Sequence, residues 1–203
     1  MIAYIGDISI IDAGLLRSIA QLKRGNFLEF GCGASTQVLA KYKREGTEFI
    51  SIDTSGEWIA KTKENLQYLG IDSSTVQFDT YDRFMQEVAQ KGKMFDFIFD
   101  DGVDHLRREF AIRIWPYLSP GGLMAFHDTR RAPDFRNVLE ILAQFQNEVT
   151  EARFNFADSN ITYVFKGTSA PYDNWQITEK REPWMLGYGE IPEYYKEIMK
   201  NSK

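Results

Sequence analysis

Cysteine is almost missing from this chain of 203 residues, where Cys32 stands alone. No intrachain disulfide can form, and a multi-cysteine zinc site is excluded. Long apolar runs are missing as well. None approaches the roughly 20 residues that span a bilayer, so no membrane segment is expected. The first residues, Met1-Ile2-Ala3-Tyr4-Ile5-Gly6-Asp7, lack the basic stretch, apolar core and cleavage site of a secretory signal. Positive charge is not in excess: 24 Lys and Arg face 29 Asp and Glu, for a net charge of −5. A nucleic-acid-coating surface is therefore disfavoured. With 43% hydrophobic and 26% charged residues, the composition is that of a soluble globular domain rather than a disordered chain. The sequence carries no internal repeat. It reads as one cytoplasmic domain with short appendages.

What is present is a regular alternation of apolar strands and amphipathic helices. Apolar residues at helical spacing from Ile10 to Leu22 predict a first helix, stopped by Gly25. Phe27–Phe30 reads as a strand running into the turn Gly31-Cys32-Gly33. Ser35 or Thr36 is expected to cap the next helix. Further strands are predicted at Glu48–Ile52, Val76–Phe78, Phe95–Phe99 and Leu123–Phe126, with two late ones at Glu151–Phe156 and Ile161–Phe165. Helices fall between them. Ser55 caps one, Asp82 is expected to cap another, and two more run over Asp104–Tyr117 and Asp134–Gln146. Such alternation implies right-handed crossovers and a mainly parallel sheet with helices on both faces. Ligands of such sheets sit outside the carboxyl ends of the strands.

Those ends are rich in acids. Glu29 and the glycine turn follow the first strand, Asp53 the second, and Asp82 lies beyond the third. Asp100-Asp101 close the fourth strand and His127-Asp128 the fifth. His105 and His127, the only two histidines, lie just past the two central ends. Asp53 follows Gly33 by 20 residues, the offset at which an acid reaches ribose hydroxyls in dinucleotide folds. A nicotinamide cofactor, and with it an NAD-dependent oxidoreductase, is the weaker reading. Ala34-Ser35-Thr36-Gln37 supplies no third glycine, and Glu29 repels a pyrophosphate. A positively charged cofactor with a free ribose, such as S-adenosylmethionine, suits the site better.

The ordered set Phe27-Leu28-Glu29-Phe30-Gly31-Cys32-Gly33, Asp53, Asp82 and Phe95-Asp96-Phe97-Ile98-Phe99-Asp100 resembles the motifs of class I S-adenosylmethionine-dependent methyltransferases. Leu118-Ser119-Pro120-Gly121-Gly122-Leu123 is similar to that family's turn into its fifth strand. The resemblance covers roughly residues 11–167. It implies a Rossmann-like three-layer α/β/α sandwich, with a mostly parallel seven-stranded sheet. Its last strand would be antiparallel, between the fifth and sixth. It also implies cofactor contacts from Glu29, Gly31, Cys32, Gly33, Asp53 with Thr54, Asp82 with Arg83, and Asp100. Asp100-Asp101-Gly102-Val103-Asp104-His105 and Phe126-His127-Asp128-Thr129 resemble a small-molecule and sugar O-methyltransferase subgroup. Catechol-type relatives hold a divalent cation between the fourth and fifth strands, which maps here to Asp101, His127 and Asp128. Neighbouring strands lie about 4.8 Å apart, so these groups can converge on one ion, Mg2+ or Mn2+. Such an ion would lower the pKa of an acceptor hydroxyl, with His105 and Asp101 as catalytic candidates.

Plainer roles stand beside these. Asp82 suits a helix cap, His127 a structural histidine, and Cys32 needs no chemistry. Arg107, Arg108, Arg113, Arg130, Arg131 and Arg136 read as solvated helix faces paired with nearby acids, with an anionic acceptor site as the alternative. Residues 1–167 form the expected cofactor-binding domain, and residues 168–203 an aromatic-rich tail or lid. Tyr172, Trp175, Trp184, Tyr188, Tyr194 and Tyr195 of that tail would pack on the domain or on a second copy in a homodimer. If that tail serves only assembly, the chain is a methyltransferase-like binding module without turnover.

Overall fold

The computed structural model describes residue 6 and residues 8–154 and 158–167 of the chain. Seven strands and six α-helices follow one another as α1 (Ile10–Leu22), β1 (Asn26–Phe30), α2 (Ala34–Tyr42), β2 (Glu48–Asp53) and α3 (Gly56–Tyr68). Next come β3 (Val76–Thr80), α4 (Tyr81–Lys91), β4 (Phe95–Asp100), α5 (Asp104–Ile114), β5 (Leu118–Phe126), α6 (Ala132–Gln144), β6 (Val149–Phe154) and β7 (Thr162–Lys166). They build one sheet in the order β3-β2-β1-β4-β5-β7-β6. The first five strands pair in parallel, and β7 runs antiparallel between β5 and β6, as the resemblance implied. Among the described residues no helix is long and apolar enough to cross a membrane.

Strand alternation sorts the core into two layers. Leu28, Phe30, Ile98 and Met124 pack against α4, α5 and α6 through Phe84, Phe110, Ile114 and Val138. Phe27, Phe49, Phe97 and Ala125 face the other way, against Leu16 of α1, Val38 of α2 and Leu66 of α3. Six phenylalanines of β1, β2 and β4 are fully buried, and each such ring stabilises the fold by about 2 kcal/mol. The same alternation fixes the polar strand residues. Glu29 lies on the α1–α3 side and Asp100 on the α4–α6 side.

Several boundaries differ from the sequence reading, each for a local reason. α2 starts at Ala34 with Gly33, not Ser35 or Thr36, at its N-cap position. The Thr36 hydroxyl instead accepts the Gly33 amide and donates its own hydrogen bond to Glu29. α4 starts at Tyr81 with Thr80 at the cap position, so Asp82 sits in the first turn. Its charge there suits the positive end of the helix dipole. Ser55 caps α3 as expected, accepting the Trp58 amide. α5 stops at Ile114 and a short 3-10 helix, Trp115–Tyr117, continues the expected span. β5 begins at Leu118 rather than Leu123, because Leu118 already pairs with Phe95 before an irregularity shifts the register. Residues 168–203, the expected tail or lid, lie outside the described residues.

Candidate active site

The chain leaves β1 toward β2 and β3 on one side, then returns to β4 on the other. The crevice opens at that reversal, beyond the carboxyl ends of β1 and β4. It holds a cavity of about 410 Å³. One wall is the turn Gly31-Cys32-Gly33 with Ala34 and Ser35 of α2, and Asp53, Ser55 and Trp58 extend it. The other wall is Asp101-Gly102-Val103, with Gly6 and Ile8 at the edge. Gly31 has φ +93°, and a Cβ there would stand 2.2 Å from the Asp101 carbonyl oxygen. Only glycine lets the two walls approach this closely.

The first wall is shaped by hydrogen bonds. Asp53 accepts the Cys32 amide at 3.2 Å and the Ser55 amide at 3.0 Å. The Trp58 indole donates to the Cys32 carbonyl. Beneath the turn, Glu29 is fully buried and accepts the hydroxyls of Thr36 and Ser51, each at 2.5 Å. Burial pushes its carboxyl up to about 7, against the pull of those hydroxyls. Burial also pushes the Cys32 thiol up, which leaves it inert at neutral pH.

The second wall is backed by charge. The Arg107 side chain, 8% exposed, donates to Asp101 at 3.0 Å, Asp128 at 3.1 Å and Asp134 at 3.0 Å. Its Nε donates to the Gly102 carbonyl at 2.5 Å. His127 meets Asp101 through Nδ1 at 3.0 Å, and its Nε2 faces Asp12 at 3.9 Å. Burial pushes His127 down, but Asp101 and Asp12 outweigh it and lift it to about 10. Burial likewise pushes Asp12 up, yet hydrogen bonds from His127, Ser159, Ser9 and the Asn160 amide hold it at about 2. Asp12 thereby ties α1 to the turn before β7. Asp100 is buried, its two carboxyl oxygens meet no side-chain donor among the described residues, and burial pushes it well above the usual carboxylate range.

A family model for a methyltransferase domain matches residues 28–129, from β1 to the end of β5 and the turn after it. The chain belongs to this methyltransferase-domain family. No curated protein matches it by sequence. Among solved structures it is similar to an O-methyltransferase from Bacillus cereus in complex with S-adenosylhomocysteine. That protein is 20% identical with a TM-score of 0.66, over 79% of this chain and 83% of the other. It is also similar to the O-methyltransferase TomG from Streptomyces achromogenes in complex with S-adenosylmethionine. There the identity is 18% and the TM-score 0.67, over 80% of this chain and 82% of the other. A precorrin 8W decarboxylase from Methanobacterium thermoautotrophicum aligns too, at 20% identity and TM-score 0.59, over 80% and 92%. At such identities the likeness is one of fold, and the decarboxylase shows that this fold hosts more than one reaction.

Within the methyltransferase domain the expected site residues divide into three groups. Gly31, Cys32, Gly33, Asp53 and Asp101 line the cavity. Glu29 and Asp100 lie beneath it, shut off from solvent. Thr54, Asp82, Arg83 and His105 are exposed and stand off its lining, and Arg83 pairs with Asp79 at 2.6 Å. Asp101, His127 and Asp128 do converge, with one ligand atom from each within 4.8 Å of the others. One oxygen of Asp101 and both oxygens of Asp128 are already engaged. Asp101 Oδ1 accepts from both Arg107 and His127. Asp128 accepts from Asn160 on one oxygen and from Arg107 on the other, which also forms an ion pair with Arg131. A divalent cation does not fit beside that guanidinium as the side chains stand. Arg107 itself overturns its expected role as a solvated helix residue. Its position three residues after Asp104 and six after Asp101 was the available signal. Asp12, Asp134 and Asn160 were missed because the partners that draw them to the site, Ser159, Arg107 and Asp128, are distant in sequence.

Proposed function

We propose that this chain transfers the methyl group of S-adenosylmethionine to a hydroxyl of a small molecule or sugar. The observation that carries the reading is the cavity at the β1–β4 crevice, floored by the Gly31-Cys32-Gly33 turn and flanked by the Asp53 carboxylate. The two O-methyltransferases of like fold hold S-adenosylmethionine or its demethylated product. In this assignment Asp53 accepts the ribose hydroxyls, and the backbone of the glycine turn meets the methionine part. Glu29 acts through Thr36 by fixing the Gly33 amide.

The acceptor oxygen attacks the methyl carbon in line, the carbon–sulfur bond breaks, and the sulfonium becomes the neutral thioether of S-adenosylhomocysteine. The acceptor proton leaves to a base. His105, in the first turn of α5 just past the cavity residue Val103, is assigned that role. The protein's main contribution is proximity. Isothermal titration with S-adenosylhomocysteine and, separately, with NAD tests the assignment. Binding of the first alone is expected. Failure to bind S-adenosylhomocysteine removes the activity and leaves only the fold. His105→Ala is expected to keep binding and lose turnover, and full activity in that variant takes His105 out of the mechanism.

A further inference from the structure

We propose that Arg107 is the resident cation of the β4–β5 edge, so that the Asp101–His127–Asp128 cluster works without a divalent metal. Three observations carry this. First, the guanidinium is buried and its donors reach the two carboxylates that an ion between the strands would have to share. Asp101 lies 3.0 Å from Nη2, and Asp128 lies 3.1 Å from Nη1. A hard cation needs oxygens at about 2.0–2.6 Å, and a buried fixed positive charge bonded to one oxygen of each carboxylate repels it and competes for them. Secondly, Asp134 of α6 accepts from the same Nη1 at 3.0 Å, which adds an acid that belongs to the guanidinium rather than to an ion between the strands. Asp134 also accepts Arg131 Nε at 2.8 Å, so the network closes on itself. Thirdly, Nε donates to the Gly102 carbonyl, part of the cavity wall that presses on Gly31. One planar fork therefore joins the ends of β4 and β5 to α5 and α6 and holds the wall of the cavity. Arg107 is a positioning residue on this account, acting through Asp101 and Gly102. A lysine, a point charge without the fork, reproduces only part of it.

The test is manganese(II) alone, titrated into the chelator-treated full-length chain and followed by loss of the free-ion electron paramagnetic resonance signal. Wild type is expected to take up no manganese that Asp101→Asn removes. Arg107→Met leaves Asp101, Asp128 and Asp134 short of their shared positive charge. It is expected to gain one manganese site per chain, lost again when Asp101→Asn is added. Arg107→Lys keeps the charge and is expected to gain none. An equivalent of manganese bound by wild type and abolished by Asp101→Asn overturns the proposal. So does a folded Arg107→Met variant, judged by circular dichroism, that binds no manganese. If Arg107→Met does not fold, wild type against Asp101→Asn still decides. The metal question rests only on the cluster. Titration with S-adenosylhomocysteine reports on the cofactor reading independently, so the two can fail separately.

Discussion

The two walls of the cavity are built by opposite means. The β1–β2 wall is a backbone turn held by single hydrogen bonds, and its one buried carboxyl, Glu29, is pushed toward neutrality. The β4–β5 wall is a buried ionic lattice centred on Arg107, with Asp101, Asp128 and Asp134 around it. The first wall lines the cavity with backbone and the Asp53 carboxylate. The second engages Asp101, Asp128 and Asp134 with one guanidinium, which fixes geometry and sets a positive charge where an added ion would sit.

The contrast breaks most visibly at Arg107. Removing one partner of a buried ion network leaves uncompensated charge, so Arg107→Met is expected to cost about 3–5 kcal/mol of stability in urea unfolding. A loss below about 1 kcal/mol would mean that the lattice is surface-like and that the contrast is false. Gly31→Ala comes next. It combines a left-handed φ with a Cβ driven against the Asp101 carbonyl, and about 3 kcal/mol is expected to be lost. That variant is also expected to lose S-adenosylhomocysteine binding, because the walls must part.

Titration sharpens the same comparison. Glu29 has its carboxyl raised from 4.5 to about 7 in the fold. Stability from its neutral form is fully present below pH 4.5 and is lost as pH rises through 7, by up to about 3 kcal/mol. Glu29→Gln keeps an oxygen to accept Thr36 and Ser51, and is expected to flatten that decline in urea midpoints measured from pH 4.5 to 8. A wild-type profile already flat over that range would show that Glu29 is ionised and paired. His127 acts in a higher window. Its raised value means that stability is fully present below pH 6.5 and lost as pH rises through about 10. His127→Asn is expected to remove that second decline and leave the first untouched.

Much of the first wall was legible in the sequence. A strand, two glycines and an acid 20 residues on describe a local turn, and local turns are written in adjacent residues. The mostly parallel seven-stranded sheet and the place of the antiparallel β7 came with the resemblance, while the burial of both faces followed from uninterrupted runs such as Phe95-Asp96-Phe97-Ile98-Phe99. The second wall was half legible. Its acids announced themselves at the strand ends, but their partners did not. Arg107 lies on a helix whose charged residues look alike in sequence, and only docking α5 on the sheet separates it from Arg108, which pairs with Glu140 on the surface. Asp12 joins Ser159 across 147 residues, a contact that no local pattern encodes. The cap positions of α2 and α4 were misread because Gly33 and Thr80 took places that side-chain preference gives to Ser35, Thr36 or Asp82.

Asp53 gives the smallest effect on stability and the most direct test of what the first wall is for. Its carboxylate is half-buried, and its described bonds are to the amides of Cys32 and Ser55, the hydroxyl of Thr54 and the thiol of Cys32. Losing them from a partly solvated turn is expected to change unfolding free energy by no more than about 1 kcal/mol. If the carboxylate also accepts ribose hydroxyls, Asp53→Ala forfeits charged hydrogen bonds worth about 1.5–3 kcal/mol and weakens S-adenosylhomocysteine about 10- to 100-fold. Asp53→Asn, which keeps an acceptor but not the charge, should fall between. Arg107→Lys makes the complementary measurement, with a larger loss of stability than of affinity. Equal affinity in Asp53→Ala and wild type would place the ribose elsewhere, and would leave the first wall as much a structural device as the second.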